Sequence, residues 1–248
     1  MAGHSKWSKV KRFKGKIDSA RARTFARYSK EIAVAAKSGG GDPNFNPRLR
    51  TAIASARAEN MPNDSIERAI KKGTGELGDI HYEEVIYEGY APGGVALIVE
   101  VLTDNRNRAA ADIRSIFTKH GGSLASPGSV TYLFQRRGVI LVPCQQIGED
   151  ALTEIILAAG AEDMKLDEEN YEIITSVETF DKVLDAIRKK KVEPSSAKLV
   201  FIPHVQTPIS DETLAKKVLS LIDTLDEHDD VQRVHSNFDI PDSILEKA

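Results

Sequence analysis

The chain has 248 residues, of which 41% are hydrophobic and 29% are charged, a composition typical of one large or two to three small globular domains. No apolar run approaches the roughly 20 residues that a membrane-spanning helix needs, and the basic N-terminus lacks the apolar stretch of a secretory signal. The single cysteine, Cys144, excludes an internal disulfide and a cysteine-rich zinc site. We therefore expect a cytoplasmic protein with no membrane role.

Charge is distributed unevenly along the chain, although the net charge is only −3. Residues 1–78 contain 17 Lys and Arg against 7 Asp and Glu, whereas residues 79–248 contain 17 against 30. Within residues 1–37 there are 11 basic residues and 2 acidic ones. A polyanion would therefore be attracted to the N-terminal end and repelled by the rest of the chain.

The N-terminal third predicts a basic arm followed by three helices. Residues 3–15 show no sustained apolar period and are interpreted as an extended arm. Apolar positions every three or four residues predict the first helix over residues 17–37. Asn46, followed by proline, predicts the cap of a second helix, and the spacing of Asp64 and Glu67 predicts a capping box at the start of a third.

After residue 78 the hydrophobic pattern becomes that of strands. Residues 84–89 and 95–102 predict a hairpin, followed by a helix at residues 106–120 and a strand at residues 130–134. The next elements read strand, helix, strand, strand, helix, strand, which is the order of a ferredoxin-like unit. They are predicted at residues 138–142, 150–159, 163–166, 171–175, 180–190 and 199–203.

A last helix at residues 212–225 and a strand at residues 231–238 supply the elements that the first α+β segment lacks. The predicted fold is therefore α+β, with an N-terminal three-helix bundle followed by two α+β domains. The third domain of the chain is ferredoxin-like and is inserted into the second. The predicted domains are residues 1–78, residues 79–135 with 206–248, and residues 136–205.

Two motifs that could indicate an enzyme are better explained as features of helix ends than as catalytic or cofactor sites. The glycine pattern of residues 73–78 matches a dinucleotide-binding fingerprint, but it follows a predicted helix where the motif requires a strand. The acidic run at residues 226–230 is interpreted as a solvated helix end, because consecutive residues cannot all converge on one metal ion. We expect no cofactor, no metal and no enzymatic activity; a metal nuclease using Asp229 and Asp230 is the alternative.

The arm and the first helix carry most of the candidate nucleic-acid contacts. Lysine and arginine neutralise phosphates, and Trp7 can stack on a base or ribose. The alternative is that Trp7 and Phe13 cover the helical bundle while the lysines are solvated. The candidate contact residues here are His4, Lys6, Trp7, Lys9, Lys11, Arg12, Lys14, Lys16, Arg21, Arg23 and Arg27.

The start of the helix predicted at residues 106–120 is a second candidate contact. Thr103 or Asp104 can cap this helix, but Arg106 and Arg108 lie where the helix dipole disfavours cations. Their position favours an anionic partner. The alternative is that they pair with a nearby carboxylate such as Glu100.

Several of these stretches resemble the YebC family, which includes the mitochondrial translational activator of cytochrome c oxidase. The resemblance spans nearly the whole chain. Ala91 stands where the family usually has glycine, although the proline that follows can still set the turn. The most specific stretches are residues 2–7, 42–43, 46–50, 61–62, 66–73, 87–94 and 103–108.

The resemblance implies a three-domain protein of a family long labelled probable transcriptional regulators, whose members have also been linked to ribosomes stalled on consecutive prolines. An extended arm with a small bundle lacks a recognition helix with dimer half-site geometry and suits irregular RNA better. We therefore favour a monomeric translation factor that binds rRNA or tRNA on the ribosome. The alternative is a DNA-binding transcriptional regulator.

Overall fold

The computed structural model describes residues 17–78, 81–167 and 169–245, with side chains from residue 21 onward. The predicted extended arm at residues 3–15 lies outside the described residues. The chain divides into two compact units, one within Met1–Gln135 and Ile202–Ala248 and the other within Arg136–Phe201. The second unit is therefore inserted into the first along the chain.

Three helices make up the described N-terminal part: α1 at Ile17–Gly39, α2 at Pro47–Ala58 and α3 at Asn63–Gly73. They confirm the predicted helical bundle. Their apolar side chains recur at three- and four-residue spacing and face one another in a small core. This core contains Ile32, Ala35, Ala36, Leu49, Ala52, Ile53, Ala56, Met61, Ile66 and Ala69.

Asn46 joins the end of α1 to the start of α2. Its Oδ1 accepts a hydrogen bond from the backbone N–H of Leu49 at 3.0 Å, which confirms the predicted N-cap. Its Nδ2 donates to the carbonyl oxygens of Ala35 and Gly40 at 2.7 and 2.9 Å. One buried side chain thus satisfies backbone groups at both helix ends.

The start of α3 differs from the prediction. Pro62 occupies the N-cap position, and no side chain caps the helix there, so the predicted capping box of Asp64 and Glu67 is wrong. Asp64 lies instead in the first turn, where the helix dipole stabilises its negative charge. At the other end, Gly73 lets α3 approach α1, because a Cβ atom there would overlap the carbonyl oxygen of Ala33.

The remaining helices and strands form two α+β parts. Before the insertion they are β1 at Glu83–Tyr90, β2 at Ala96–Thr103, α4 at Arg106–Lys119 and β3 at Ser123–Leu124. The insertion contains β4 at Phe134–Pro143, α5 at Glu149–Ala159, β5 at Ala161–Asp167, β6 at Asn170–Thr175, α6 at Phe180–Lys189 and β7 at Ser196–Pro203. After it come β8 at Thr207–Pro208, α7 at Glu212–Asp226, β9 at Val231–Ser236, β10 at Phe238–Asp239 and α8 at Asp242–Leu245.

A four-stranded sheet of order β3-β1-β2-β9 forms the first α+β part. β2 pairs antiparallel with β1, as the predicted hairpin requires, and also with β9. The main core contains Val99 of β2, Ile113 and Phe117 of α4, and Leu221 of α7. Because β9 comes from residues beyond the insertion, the chain must return to complete this sheet. We call this part the central domain.

The inserted unit has a four-stranded sheet of order β5-β6-β4-β7. β4 and β5, which α5 connects, are separated by β6, the arrangement of a split β-α-β unit. This order confirms the predicted ferredoxin-like fold. The strand predicted at residues 130–134 is wrong, however, because Thr131–Leu133 form a 3-10 helix and β4 begins only at Phe134.

A buried carboxylate holds the loop that precedes β4. Glu88 of β1 is 6% exposed and accepts hydrogen bonds from the backbone N–H groups of Gly128, Val130 and Thr131, at 2.6, 2.6 and 2.8 Å. Burial raises the pKa of Glu88, but the N–H donors together outweigh burial and leave this pKa below its ordinary value. The ionised carboxylate therefore stabilises the loop.

We expect Glu88→Gln to lower the free energy of unfolding by about 1–3 kcal/mol at neutral pH, because an amide nitrogen would face backbone donors. The folded-state pKa is below the ordinary 4.5, so the wild-type advantage exists above that value and is lost as the pH falls through the folded-state pKa. Urea unfolding at pH 7 and below pH 4 measures this. The exposed Glu83→Gln is the control; an equal loss in both variants would contradict the assignment.

Candidate nucleic-acid interface

The candidate contact residues fall into three groups in the structure. Those from His4 to Lys16 lie outside the described residues. Arg21, which is exposed, lies on α1 together with Arg23 and Arg27. The third group, Arg106 and Arg108, lies in the first turn of α4.

The cations of α1 meet the acidic end of α7. Arg23 lies 3.7 Å from the Glu227 carboxylate, and Arg27 lies 3.7 Å from the Asp226 carboxylate while also donating to the Asp226 carbonyl oxygen. Lys30 donates to the carbonyl oxygen of Asp229 at 2.9 Å. The acidic run was predicted to be a solvated helix end, and this prediction is wrong in part, because the run contacts α1.

Asp230 is the most buried carboxylate of this run, at 4% exposure. Its Oδ1 accepts a hydrogen bond from Lys30 Nζ at 2.7 Å, and its Oδ2 accepts from Thr103 Oγ1 at 2.9 Å and from Arg108 at 3.0 Å. Burial raises the pKa of Asp230, but the hydrogen bonds from these three residues outweigh burial and lower it overall. One ionised carboxylate thus connects α1, the end of β2 and the start of α4.

The turn between β2 and α4 is built around Asn105. Its side chain caps α4 by accepting a hydrogen bond from the Arg108 backbone N–H at 3.1 Å, so the predicted caps, Thr103 and Asp104, are wrong. Thr103 Oγ1 instead accepts from the Asn105 N–H at 3.0 Å. The Tyr87 hydroxyl donates to the carbonyl oxygen of Arg106 at 3.3 Å. These bonds fix the backbone that carries both arginines.

The two arginines of this turn have different surroundings. Arg108 donates to Asp104 at 2.9 Å as well as to Asp230, so it belongs to the polar network. Arg106 is exposed, and among the described residues no carboxylate lies within 4 Å of its guanidinium. The predicted alternative, pairing with a nearby carboxylate, therefore holds for Arg108, although its partners are Asp104 and Asp230, and Glu100 contacts Arg233 and His235 instead. Arg106 is therefore the arginine of this pair that is available to an external anion.

Glu100 lies on β2 and pairs with residues of β9. His235 Nε2 lies 2.8 Å from its carboxylate, and Arg233 lies 4.0 Å from it. Arg233 also reaches Glu31 of α1 at 3.7 Å, while Arg48 of α2 pairs with Glu84 of β1. The helical bundle is thus joined to the central domain by ion pairs. Exposed pairs contribute about 0–1 kcal/mol each, so the buried Asp230 network matters most.

Sequence reasoning missed Lys30 and Asp230 as partners, although one signal showed that the acidic run containing Asp230 needs a partner. The helix dipole disfavours anions at the C-terminal end of a helix, yet α7 ends in Asp226 followed by three further acidic residues within four positions. The same argument applied to cations singled out Arg106 and Arg108. When the helix-dipole argument is applied to anions as well as cations, it indicates that each cluster of charges at an unfavourable helix end has a partner elsewhere in the fold.

In the part of the chain that the structure describes, no three His, Cys, Asp or Glu side chains are grouped so that they could hold a metal ion. No described helix is both long and apolar enough to span a membrane.

We expect Asp230→Asn to lower the free energy of unfolding by about 2–4 kcal/mol at neutral pH, because it leaves Lys30 and Arg108 without their shared charge. The folded-state pKa of Asp230 lies below the ordinary 3.8, so its contribution is present above that value and is lost as the pH falls through the folded-state pKa. Urea unfolding across this pH range measures the effect. The neighbouring exposed Asp229→Asn should change stability by less than about 0.5 kcal/mol; equal losses would refute the network.

Comparison with known proteins agrees with this architecture. The family profile described as "TACO1/YebC protein N-terminal domain" matches residues 5–76, and the profile "TACO1/YebC second and third domain" matches residues 82–238. The crystal structure of a conserved hypothetical protein from Aquifex aeolicus is similar, with a TM-score of 0.82 and 48% identity, covering 92% of this chain and 93% of that one.

Two bacterial relatives match over almost their entire lengths. A "probable transcriptional regulatory protein" of Treponema pallidum (strain Nichols) is 53% identical over 245 residues, covering 99% of this chain and 100% of the relative. A protein of the same description from Opitutus terrae is 51% identical over 245 residues, covering 99% of both chains. Profiles and relatives together cover the bundle, the central domain and the insertion, and the chain therefore belongs to the TACO1/YebC family.

Proposed function

We propose that the protein is a non-enzymatic, monomeric and cytoplasmic regulator of gene expression that acts by binding nucleic acid. Its preferred target is rRNA or tRNA on the ribosome, where it assists synthesis through runs of proline. The observation that carries the proposal is the concentration of cations at one end of an otherwise acidic chain, 17 against 7 in residues 1–78. The regulatory description of the bacterial relatives supports a role in gene expression.

The described cations form an edge that suits a phosphate backbone. Arg23, Arg27 and Lys30 recur at four- and three-residue spacing on one face of α1, which corresponds to about 10 Å along the helix and about three phosphates of one strand, whereas Arg21 lies on the opposite face. Lys30 and Arg108 both bind Asp230, so this network places the end of that edge beside the start of α4, where Arg106 is exposed. The Asp230 network therefore supplies the rigidity with which α1 and Arg106 can engage one strand.

Arg23 and Arg27 have carboxylate partners in the structure, but these pairs are partly exposed. The Arg23 and Glu227 side chains are 34% and 57% exposed, and a pair in water contributes about 1 kcal/mol or less. A phosphate strand brings several charges and releases counterions, so it can compete for such cations. Arg23 and Arg27 therefore remain candidate contacts, while Arg108 acts as a positioning residue.

The proposed contribution is orientation of substrates, with the chemistry left to the ribosome. Positioning reacting groups can lower a barrier without a catalytic side chain. Proline fixes its backbone dihedral angle and lacks an N–H, so consecutive prolines restrict the geometry of peptide-bond formation. Metal-dependent cleavage of RNA by the pure protein, lost when Asp229 and Asp230 are replaced, would contradict this proposal.

The relatives' description favours one alternative, a DNA-binding transcriptional regulator. A transcriptional regulator must distinguish its site from random DNA by about 4–10 kcal/mol, usually through contacts in the major groove. An RNA-binding translation factor needs no such discrimination between duplex sequences. The two functions therefore differ in a measurable quantity, the ratio of the affinity for a specific DNA site to the affinity for random DNA.

We expect Arg106→Gln to weaken binding to a single-stranded RNA by about threefold to tenfold at moderate salt, because one phosphate contact is lost. The slope of the logarithm of the association constant against the logarithm of the salt concentration should decrease in magnitude by about 0.7, the contribution of one phosphate on a single strand. Fluorescence anisotropy over a salt series measures both. Arg114→Gln removes another exposed arginine of α4 and is the control; an identical loss would show that only net charge matters.

We expect the protein to accelerate synthesis from a message with a proline run more than from the same message with alanines, in a reconstituted translation system without a transcription step. The triple variant Lys6→Ala, Trp7→Ala, Lys9→Ala should lose this gain, because it removes phosphate neutralisation and a stacking surface together. The measurement is the rate of full-length product.

A control variant, Lys182→Ala with Lys189→Ala, removes two exposed lysines of α6 and should keep the gain. No proline-dependent gain, combined with much tighter binding to a defined promoter duplex than to random DNA at physiological salt, would refute the translation role. The transcriptional alternative would then replace it.

A further inference from the structure

A groove lies on the central domain between the end of α4 and the first turns of α7. Its volume is about 610 Å³, and the turn between β1 and β2 closes one side of it. The groove is open to solvent and its lining contains no carboxylate. The lining residues are Pro92, Lys119, His120, Gly121, Thr213, Lys216, Lys217 and Ser220.

The groove is basic although the domain around it is acidic. Residues 79–135 and 206–248 contain 8 Lys and Arg against 17 Asp and Glu, and three of those eight cations line this groove. Like charges gathered on a solvated surface repel one another, so chance placement does not favour this cluster. The concentration of cations against the charge of the domain indicates an anionic ligand.

The lysines of the groove have little internal compensation. Among the described residues, neither Lys119 nor Lys217 forms an ion pair within 4 Å, although Lys119 lies in the last turn of α4, where the helix dipole favours a cation. Lys216 pairs with Glu212 at 2.8 Å, one turn earlier on α7, but both side chains are about half exposed. Such an exposed pair contributes only about 0.3–0.5 kcal/mol and yields readily to a stronger anion.

The remaining polar lining consists of a histidine held in place and of two hydroxyl groups that can donate hydrogen bonds. His120 Nδ1 lies 2.9 Å from the carbonyl oxygen of Ile116, and its Nε2 lies 3.2 Å from Thr224 Oγ1, so both ring nitrogens are held. The hydroxyls of Thr213 and Ser220 lie on exposed residues beside the lysines. Ammonium and hydroxyl donors are the groups that contact the sugar–phosphate backbone of nucleic acids.

We infer that this groove is a second phosphate-binding site, which holds the backbone of the RNA strand that α1 and Arg106 engage. The inference rests on the proposed nucleic-acid-binding function and adds a separate contact to it. Lys216 of the groove and Glu227, the partner of Arg23, are eleven residues apart, about 16 Å along α7. A strand of about five nucleotides or more covers that length, so a 20-nucleotide RNA can occupy both contacts.

The test compares the full chain with a groove variant, Lys119→Gln, Lys216→Gln, Lys217→Gln. A matched variant, Lys182→Gln, Lys189→Gln, Lys190→Gln, removes three exposed lysines from α6 and its C-terminal end. The probe is a fluorescent 20-nucleotide single-stranded RNA, titrated over a series of salt concentrations. Thermal unfolding of each variant establishes that all three proteins are folded.

The groove variant should bind about tenfold more weakly or worse at about 100 mM salt, and its slope of log K against log salt should fall by about 2. The matched variant should keep the wild-type slope. Lysine-to-arginine replacements at the same three groove positions should retain binding, because they keep the charge.

Each remaining outcome is decisive. If the wild type binds RNA and the groove variant behaves like the matched variant, the groove inference is overturned while the proposed function stands. If the wild type binds neither RNA nor DNA, the proposed function itself fails. If polyglutamate binds the wild type but not the groove variant, while the RNA binds both proteins equally, the groove takes an acidic peptide and the inference is again overturned.

Discussion

The buried carboxylate of Asp230 is the interaction on which the arrangement of the described N-terminal and central parts depends. It accepts hydrogen bonds from Lys30 of α1, from Thr103 at the end of β2 and from Arg108 at the start of α4. A buried charge is costly unless it is paired and fully hydrogen-bonded, and these donors satisfy that condition. The other ion pairs between the bundle and the central domain are more exposed and individually weak. Asp230 therefore determines where the cationic helix lies relative to Arg106.

The charge distribution follows from this arrangement. Helix α7 carries acidic residues at its C-terminal end, where its own dipole disfavours them, and α4 carries arginines at its N-terminal end, where its dipole disfavours those. Arg108 and Lys30 both form ion pairs with the Asp230 carboxylate. The cation at the unfavourable end of α4 and the anion beyond the unfavourable end of α7 therefore neutralise each other. Arg106 has no such compensation among the described residues, and Lys217 forms no ion pair there either, whereas Lys119 lies at the end of α4 that favours a cation. The proposed contacts with a polyanion therefore rest first on cations that the fold does not use internally.

This division separates residues that hold the protein together from residues that we propose as ligand contacts. Arg106 and Arg108 are two positions apart and belong to the same stretch of sequence, yet only Arg108 donates to the buried carboxylate. We therefore expect loss of Arg108 to disturb the scaffold and loss of Arg106 to leave it intact. Glu88 acts as a second structural carboxylate, because it is buried and its oxygens accept backbone N–H bonds from one loop. Both stretches belong to the family resemblance, so one shared motif can contain residues with internal partners, such as Arg108, beside residues proposed as ligand contacts, such as Arg106.

The sequence by itself determined the order of helices and strands, the three-helix bundle and the inserted ferredoxin-like unit, because apolar periodicity and caps such as Asn46 reflect local backbone geometry. It erred at residues 130–134, where Val130 and Phe134 are buried by tertiary contacts without forming one strand, since a short apolar run does not specify its backbone. Only the tertiary structure decided which charges are paired. Lys30 and Asp230 are 200 positions apart, and no local pattern encodes a contact that forms only after α1, β2, α4 and the C-terminal segment have packed together.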